Sequence, residues 1–341
     1  ARGYFEPWRI AVFNDRRLAA AGTAWDDPFA ALAPAPADEA AWREEARSLF
    51  RSQFGGRRRP LLKDPRVSVL GALWRPVLEA EGLALRVFIP VRSPLAVAGS
   101  LMARDGFSIR KSVMVWCAYM LAAEAMSRDL PRAFVDYDAL LEDWRPGLAA
   151  AEGQLGEPLP ALTAAAGRKI DAFLSTELRR NTGAGDLSAL GEAGERAAEV
   201  LAWLTAPARG EAPDPTPLEQ AAAWLAGEKA LYGDLVSPVS ADRMAARTAL
   251  ADAEGRATFL ERTLEETRGI VAELEGRIHA LYETIGNLDG QLGEMRDHVA
   301  SLTRTNEDLR RHARSLETRL KASQAAVREA AHRLETLVEP G

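Results

Sequence analysis

The sequence is poor in the residues on which many enzymes and metal sites depend. It has one cysteine, Cys117, which excludes an internal disulfide and a CxxC metal site and is typical of a reducing compartment. All four histidines lie between His279 and His332, so residues 1–238 contain none. This absence removes Ser-His-Asp, Cys-His and histidine-metal chemistry from the larger, N-terminal part of the chain. A general base there must be a carboxylate or a lysine, and we predict no metal site.

The chain also lacks a long hydrophobic run and an excess of positive charge. Its longest apolar run, Val113 to Ala123, is eleven residues, whereas about 18 are needed to span a bilayer, so we expect a buried helix there. The 341 residues are 47% apolar and 27% charged, which is typical of a globular protein, and their net charge is -6. A nucleic-acid coat protein is therefore disfavoured, and an anionic ligand needs a local basic pocket. We expect a cytoplasmic protein with no membrane span.

Composition divides the chain into two parts. All eight tryptophans and eighteen of the nineteen prolines lie at or before Pro238, and residues 239–339 contain neither. We predict an N-terminal domain over residues 1–235, a linker over 236–256 and a helical domain over 257–338. Because the first residues look like the middle of a domain, we expect the natural sequence to continue upstream.

The C-terminal part follows a seven-residue repeat that predicts a coiled coil. Of the 23 a and d positions from Leu260 to Leu337, only Thr267, Asn306 and Ser323 are polar. Branched residues at several a positions, leucine at most d positions and the single asparagine at a favour a parallel homodimer. An intramolecular helical hairpin is the alternative. The a positions are Leu264, Val271, Ile278, Ile285, Leu292, Val299, Asn306, Ala313, Leu320, Val327 and Leu334.

The N-terminal part alternates apolar strand patterns with helical ones, which predicts an α/β fold: a parallel sheet with flanking helices. We predict strands over Arg59–Lys63, Leu85–Val91 and Arg132–Asp136. Helices are expected after each strand, with starts at Pro65, at Ser93-Pro94, at Ser108 and at a capping Asp138. From Arg145 to Tyr232 the pattern is helical, with a loop at Pro207 to Pro217.

The residues that end the strands are the candidate binding residues, since ligands of open parallel sheets bind beyond the carboxyl ends of the strands. Arg92 follows the second predicted strand and precedes a helix N-terminus, where free N–H groups already favour an anion. Ser100 shares a helix face with Ser93, and its side chain leans back toward the same N-terminus. This combination predicts a phosphate site. The alternative is that Arg92 pairs with a surface carboxylate and Ser100 only packs.

The string VFIPVRSPLAVAGSLMARDGFSIRKSVMVWCAYM, which contains Arg92 and Ser100, resembles a segment of sulfotransferases that use 3′-phosphoadenosine-5′-phosphosulfate (PAPS). In that family the segment holds the 3′-phosphate of PAPS, and Arg92 and Ser100 match the two phosphate-binding positions. RPLLKDPRVSVLGALW is similar to the KDPR turn of bacterial sulfotransferases, and FVDYDALLEDW resembles the later strand whose tyrosine, here Tyr137, lies near the nucleotide. GYFEPWRIAVFNDRRLAAAGTAWDDP resembles the stretch after the family's first βα unit. The matches cover roughly residues 3 to 145.

The resemblance implies a sulfotransferase-like fold, PAPS as the donor, and a hydroxyl acceptor such as a carbohydrate. It places Arg92, Ser100, Tyr137 and Arg66 on the nucleotide. Family members begin with a strand, a Gly/Ser/Thr-rich loop and a helix that hold the 5′-phosphosulfate, and this sequence has neither such a loop nor a GxxxxGK[ST] motif. The resemblance therefore gives this chain only the 3′ half of the site. A non-catalytic coiled-coil scaffold with a degenerate nucleotide-binding head is the alternative.

Sulfuryl transfer needs a base for the acceptor hydroxyl and positive charge for the bridging oxygen. The resemblance makes Glu6 the candidate base by position and Asp64 the second candidate, with Lys63 and Arg66 as electrostatic partners. The alternative for Glu6 is a solvated carboxylate without a catalytic role. The alternative for Asp64 is a helix cap ahead of Pro65.

Two further basic segments carry weaker signals. Residues 179–186 (RRNTGAGD) are either a loop that closes over the phosphate or an exposed linker, and Arg57-Arg58-Arg59 reads as a solvated turn.

Overall fold

The structure, a computed structural model, describes residues 6–174 and 185–338. The chain divides into two units, Ala1–Ala251 and Asp252–Gly341, called the first and second unit below. Among the described residues no helix combines the length and the apolar character that crossing a membrane requires.

The described residues are mostly helical, with one small parallel sheet and a long C-terminal helix. The strands are β1 (Val87–Val91) and β2 (Arg132–Asp136). The helices are α1 (Trp8–Ala20), α2 (Glu39–Phe54), α3 (Arg66–Val69), α4 (Gly71–Ala80), α5 (Pro94–Asp105), α6 (Ile109–Ser127), α7 (Tyr137–Glu142), α8 (Trp144–Leu155), α9 (Ala164–Phe173), α10 (Glu192–Thr205) and α11 (Thr216–Val338). Short 3₁₀ turns lie at Ala30–Leu32, Leu187–Leu190 and Pro207–Arg209.

The sheet consists of β1 and β2, which run parallel and are joined by α5 and α6. Val87 pairs with Arg132 and Val91 with Asp136, so both strands end at the same edge. The prediction of a parallel pair from these two segments is confirmed. The larger sulfotransferase-like sheet stays a prediction.

The predicted strand over Arg59–Lys63 is wrong: this segment has no regular secondary structure and joins no strand among the described residues. Its apolar Leu62 packs instead against the helical cluster around Trp74, and Pro60 has no N–H to donate to a sheet. A five-residue segment that contains a proline and two leucines is therefore a packed connection rather than a strand.

The helices that follow the strands are capped at their N-termini by side-chain hydroxyl and carboxylate groups. The Ser93 side chain accepts from the Ala96 N–H at the start of α5, and the Ser108 side chain accepts from the Lys111 N–H at the start of α6. The predicted capping role of Asp138 is wrong, because Asp136 accepts from the two N–H groups of residues 138 and 139. The last residue of β2 is thus also the cap of α7.

Two apolar clusters hold the first unit together. One lies between the sheet, α6, α10 and the start of α11, and includes Ile89, Trp116 and Leu204. The other packs α1, α2 and α4 around Trp74 and Phe13, whose rings meet edge to face at 5.8 Å. The predicted core helix over the apolar run is confirmed, since α6 buries Val113, Trp116 and Cys117.

The start of α11 belongs to the first unit, where Leu218, Ala221 and Leu225 are buried. The predicted linker, residues 236–256, is helical throughout, and Pro238 lies inside the helix. In the second unit the apolar a and d residues from Leu260 to Val327, called the heptad stripe below, are all exposed. Even the least exposed of the large ones, Val271, Leu274 and Leu316, have 48% of their surface open. A single long helix with this stripe is the structure that the coiled-coil prediction requires.

The close approach of α4 to α6 depends on Gly71, since a Cβ there would lie 2.8 Å from Met126 Cβ. We therefore expect Gly71→Ala to lower the free energy of unfolding by about 1–3 kcal/mol through overpacking. Gly147, inside α8, has open space around it, so Gly147→Ala should raise stability by about 0.5–1 kcal/mol through helix propensity. Urea unfolding of both variants checks this. Equal effects of the two changes would contradict the packing argument.

Candidate functional site

The shared carboxyl edge of the two strands brings Arg92 and Tyr137 together. Arg92 follows β1 directly, and Tyr137 follows β2 directly. The guanidinium carbon of Arg92 lies 4.8 Å from the centre of the Tyr137 ring, within cation–π range. These two predicted nucleotide-binding residues are therefore neighbours, and the parallel register explains why.

The start of α5 completes this edge. The Arg92 carbonyl accepts from Trp116 Nε1 at 3.0 Å, which fixes the backbone between β1 and α5. The Ser100 hydroxyl donates to the Ala96 carbonyl at 3.0 Å, one turn earlier in its own helix. To donate to an anion at the strand edge, the Ser100 hydroxyl would have to rotate away from the Ala96 carbonyl. The barrier to rotation of a serine hydroxyl is low.

The other four predicted residues form a second group, in which opposite charges alternate. Lys63 Nζ lies 2.8 Å from Glu6 Oε1, and Arg66 NH1 lies 3.6 Å from Glu6 Oε2. Arg66 NH1 also lies 3.0 Å from Asp64 Oδ1, and Arg66 Nε lies 2.6 Å from Asp15 Oδ1. These contacts place four predicted residues in one group, as a single site requires: Glu6, Lys63, Asp64 and Arg66. Asp15 is a further member of this group.

Asp64 is the most enclosed member of this charged group. Its side chain is fully buried, and its Oδ1 accepts from the Arg66 N–H at 2.9 Å. Its Oδ2 accepts from Asn14 Nδ2 at 3.1 Å, and Asn14 Oδ1 in turn accepts from Trp74 Nε1 at 2.8 Å. Asp64 therefore ties the connection before α3 to α1 and α4. This geometry matches the capping alternative for Asp64.

Burial and ion pairing shift the pKa values of two residues in the charged group. Burial raises the pKa of Asp15, against the opposing charge of Arg66. Burial alone would lower the pKa of Arg66, but the charges of Asp64 and Asp15 outweigh it, so the pKa of Arg66 is raised. Arg66 is consequently a permanent cation, and Asp15 is a carboxylate that holds a proton more readily than usual. A group of this kind can accept and release a proton beside a fixed positive charge.

Asp15 and Asn14 were missed from the sequence. They lie in α1, about 50 residues from Asp64 and Arg66, and the only signal was their position on a helix within the segment that resembles the sulfotransferase family. Nothing in their local spacing indicated a polar group.

The remaining predicted segments add little to either group. Arg57, Arg58 and Arg59 are exposed, in agreement with a solvated turn. Most of the predicted phosphate loop, residues 179–184, lies outside the described residues, and Asp186 caps the 3₁₀ turn at Leu187–Leu190. In the part of the chain that the structure describes, no three His, Cys, Asp or Glu side chains are placed to hold a metal ion.

Two apolar cavities lie elsewhere in the first unit. One, of about 540 Å³, lies between α4, α6 and α11, and its lining residues include several alanines and Arg75. The other, of about 500 Å³, lies between α8 and α9 and is lined by Trp144, Leu148, Ile170 and their neighbours. Among the described residues, those that line these two cavities include none of the predicted site residues.

Comparisons of the chain with protein-family models, with curated proteins and with solved structures find no match.

The buried contacts of Asp64 predict a mainly structural cost when it is changed. Asp64→Asn removes the ion pair with Arg66 and places two amides against each other at Asn14. We expect the free energy of unfolding to fall by about 2–4 kcal/mol, as for other broken buried pairs. Chemical denaturation measures this, with Asp234→Asn on the exposed face of α11 as the control. Unchanged stability would show that the enclosure of Asp64 does not contribute to folding.

Proposed function

We propose that the first unit is the head of a PAPS-dependent sulfotransferase that binds the 3′-phosphate of the nucleotide at the strand edge. The observation that carries this proposal is the contact of Arg92 with the Tyr137 ring at the carboxyl ends of two parallel strands, next to the start of α5. The resemblance of the segments around both residues to sulfotransferases supports the same assignment.

The physical chemistry of this edge suits a phosphate. A guanidinium that lies over an aromatic ring presents its N–H donors in its own plane, in a fixed fork that matches two phosphate oxygens. The partial positive charge at the N-terminus of α5 adds to this attraction. In a chain with a net charge of -6, such a local concentration of donors is what an anionic ligand needs.

The charged group around Arg66 supplies candidates for the transfer itself. In the proposed reaction, the acceptor oxygen attacks sulfur, the bond from sulfur to the 5′-phosphate oxygen breaks, and the acceptor proton passes to a carboxylate. Glu6 is the favoured base, because it contacts Lys63 and Arg66 and is less enclosed than Asp64. Lys63 and Arg66 would stabilise the negative charge on the bridging oxygen. The proposal assigns only the 3′ half of the donor site to this chain, and a carbohydrate hydroxyl as the acceptor.

A second candidate function is a non-catalytic scaffold with a nucleotide-binding head. One observation favours it: Glu6, Lys63, Asp64 and Arg66 neutralise one another in a compact set of ion pairs, as they would in a structural cluster. Transfer of labelled sulfate separates the two functions, since both share the nucleotide site.

In either case we propose that the chain is a parallel homodimer joined through the heptad stripe. A parallel, in-register pair places each g residue opposite the e residue five positions later in the partner. From Arg256 to Ala331 no such pair joins like charges, and Arg256 faces Glu261. Asn306 meets its twin at an a position, which fixes the register at a small cost in stability.

The nucleotide site predicts a specific loss of affinity. Arg92→Ala should weaken binding of adenosine 3′,5′-bisphosphate about 30-fold, or about 2 kcal/mol, because a charge-assisted phosphate contact is removed. Titration calorimetry on the full chain measures this.

The matched control is Arg86→Ala. Arg86 precedes the first residue of the same strand and pairs with Glu157 at 2.6 Å, so its loss should leave the affinity unchanged. Equal affinity of the Arg92 variant and the unchanged protein, or an equal loss in both variants, would refute the site.

The proposed dimer predicts that charged substitutions in the heptad stripe lower the molecular mass measured in solution. Leu281→Asp together with Leu288→Asp places carboxylates at two successive d positions, so the pair should dissociate at micromolar concentration. Ala280→Asp, at the neighbouring c position, should leave the dimer intact. Sedimentation equilibrium on the full chain checks both variants. A monomeric unchanged protein would contradict the dimer.

A further inference from the structure

The part of α11 that belongs to the first unit has a second apolar face, which the unit does not cover. Leu231 is 70% exposed, Leu235 69%, Val239 66% and Leu250 59%. Large aliphatic residues that share one helix face are not normally this exposed to water, because together they form an apolar surface.

The neighbouring face of the same stretch is firmly attached to the first unit. Ser240 is buried, Arg243 NH2 lies 2.8 Å from Asp26 Oδ2, and Arg247 NH1 lies 2.9 Å from Asp105 Oδ1. The exposed leucines are thus held in place by contacts on the adjacent side of the helix. Their exposure is a fixed feature of α11 in this unit.

The exposed face follows an eleven-residue repeat. In such a repeat the core positions are a, d, e and h, and with a at 235 and at 246 all but one of the eight core residues are apolar. They are Leu235, Pro238, Val239, Asp242, Ala246, Ala249, Leu250 and Ala253. The next a position is 257, which is also an a position of the seven-residue register that contains Leu264. The two repeats therefore join without a shift in phase.

We infer that this face, residues 235–253, pairs with the same face of a second copy of the chain. The inference rests on the paired heptad stripe proposed above and extends it toward the N-terminus through the predicted linker. The common phase at residue 257 identifies the partner, because a helix that pairs through the heptad stripe is already aligned with the eleven-residue face. Three alanines, Ala246, Ala249 and Ala253, let two helices approach closely there.

The consequence is that pairing begins within the first unit. About 19 residues join the interface, or about 28 Å of helix at 1.5 Å per residue. Since Arg243 and Arg247 attach this stretch to Asp26 and Asp105, two copies of the first unit are brought together by the same contact. Asp242 is the polar exception, and the two carboxylates oppose each other at that level.

Disulfide trapping in the full chain tests the inference. Three variants each introduce one cysteine: Ala246→Cys at a core position of the new face, Thr248→Cys two residues along on an exposed part of the helix away from that face, and Leu281→Cys at d of the heptad stripe. The native Cys117 is buried, and burial raises its pKa to about 12, so it does not compete. Mild oxidation followed by non-reducing electrophoresis measures the dimer formed.

We expect Ala246→Cys and Leu281→Cys to cross-link, each at least about five-fold more than Thr248→Cys, because only core positions bring two Cα atoms within disulfide range. If Leu281→Cys cross-links and Ala246→Cys does not exceed Thr248→Cys, the inference is wrong and the heptad dimer stands. If neither core variant cross-links, the dimer and the inference both fail. Equal cross-linking of Ala246→Cys and Thr248→Cys would reveal random collision and would also overturn the inference.

Discussion

The apolar stripe along α11 is the constraint on which the rest of this protein depends. A helix with a continuous apolar stripe is stable in water only if something covers that stripe. The first unit covers the start of α11 through Leu218, Ala221 and Leu225, but the large residues of the stripe, from Leu231 onward, stay open to solvent. A long helix of this kind is therefore incomplete as a single copy, and pairing with a second copy is the proposal that accounts for it.

The first unit depends on a smaller arrangement, the parallel register of β1 and β2. Because Val91 pairs with Asp136, the next residue of each strand, Arg92 or Tyr137, emerges at the same edge. Trp116 from α6 donates to the Arg92 carbonyl, and Ser93 caps α5, so hydrogen bonds from two sides hold the backbone at this edge. A strand edge with a stacked guanidinium at the start of a helix is well suited to bind phosphate. For this reason we propose the nucleotide site there.

The charged group around Arg66 permits two interpretations with different physical signatures. The enclosure of Asp64 and its bonds to Arg66 and Asn14 are those of a structural cap. Glu6 and Lys63 are more open, and Asp15 has a raised pKa beside a permanent cation, as a proton-transfer group would. Measurements of stability and of the proposed sulfate transfer on variants of these residues would separate the two interpretations.

Much of this structure could be predicted from local sequence patterns, and what could not be predicted depends on distant contacts. The long C-terminal helix, the caps at Ser93 and Ser108 and the apolar core of α6 are local signals, and they are confirmed. The predicted strand at Arg59–Lys63 failed because no neighbouring strand accompanies it among the described residues, and strand propensity says nothing about partners. Asn14 and Asp15 escaped notice because their partners lie about 50 residues away. Most of the exposed face, residues 236–253, was assigned to a linker because its eleven-residue repeat differs from the heptads that follow.

The most direct test of the central claim is pulsed dipolar spectroscopy on the full chain, with a single spin label at position 262 in one sample and at position 328 in another. Parallel, in-register pairing predicts label separations of roughly 20–35 Å in both samples, since paired helices lie about 10 Å apart. No dipolar coupling in either sample, or separations of about 100 Å expected for an antiparallel pair, would contradict it.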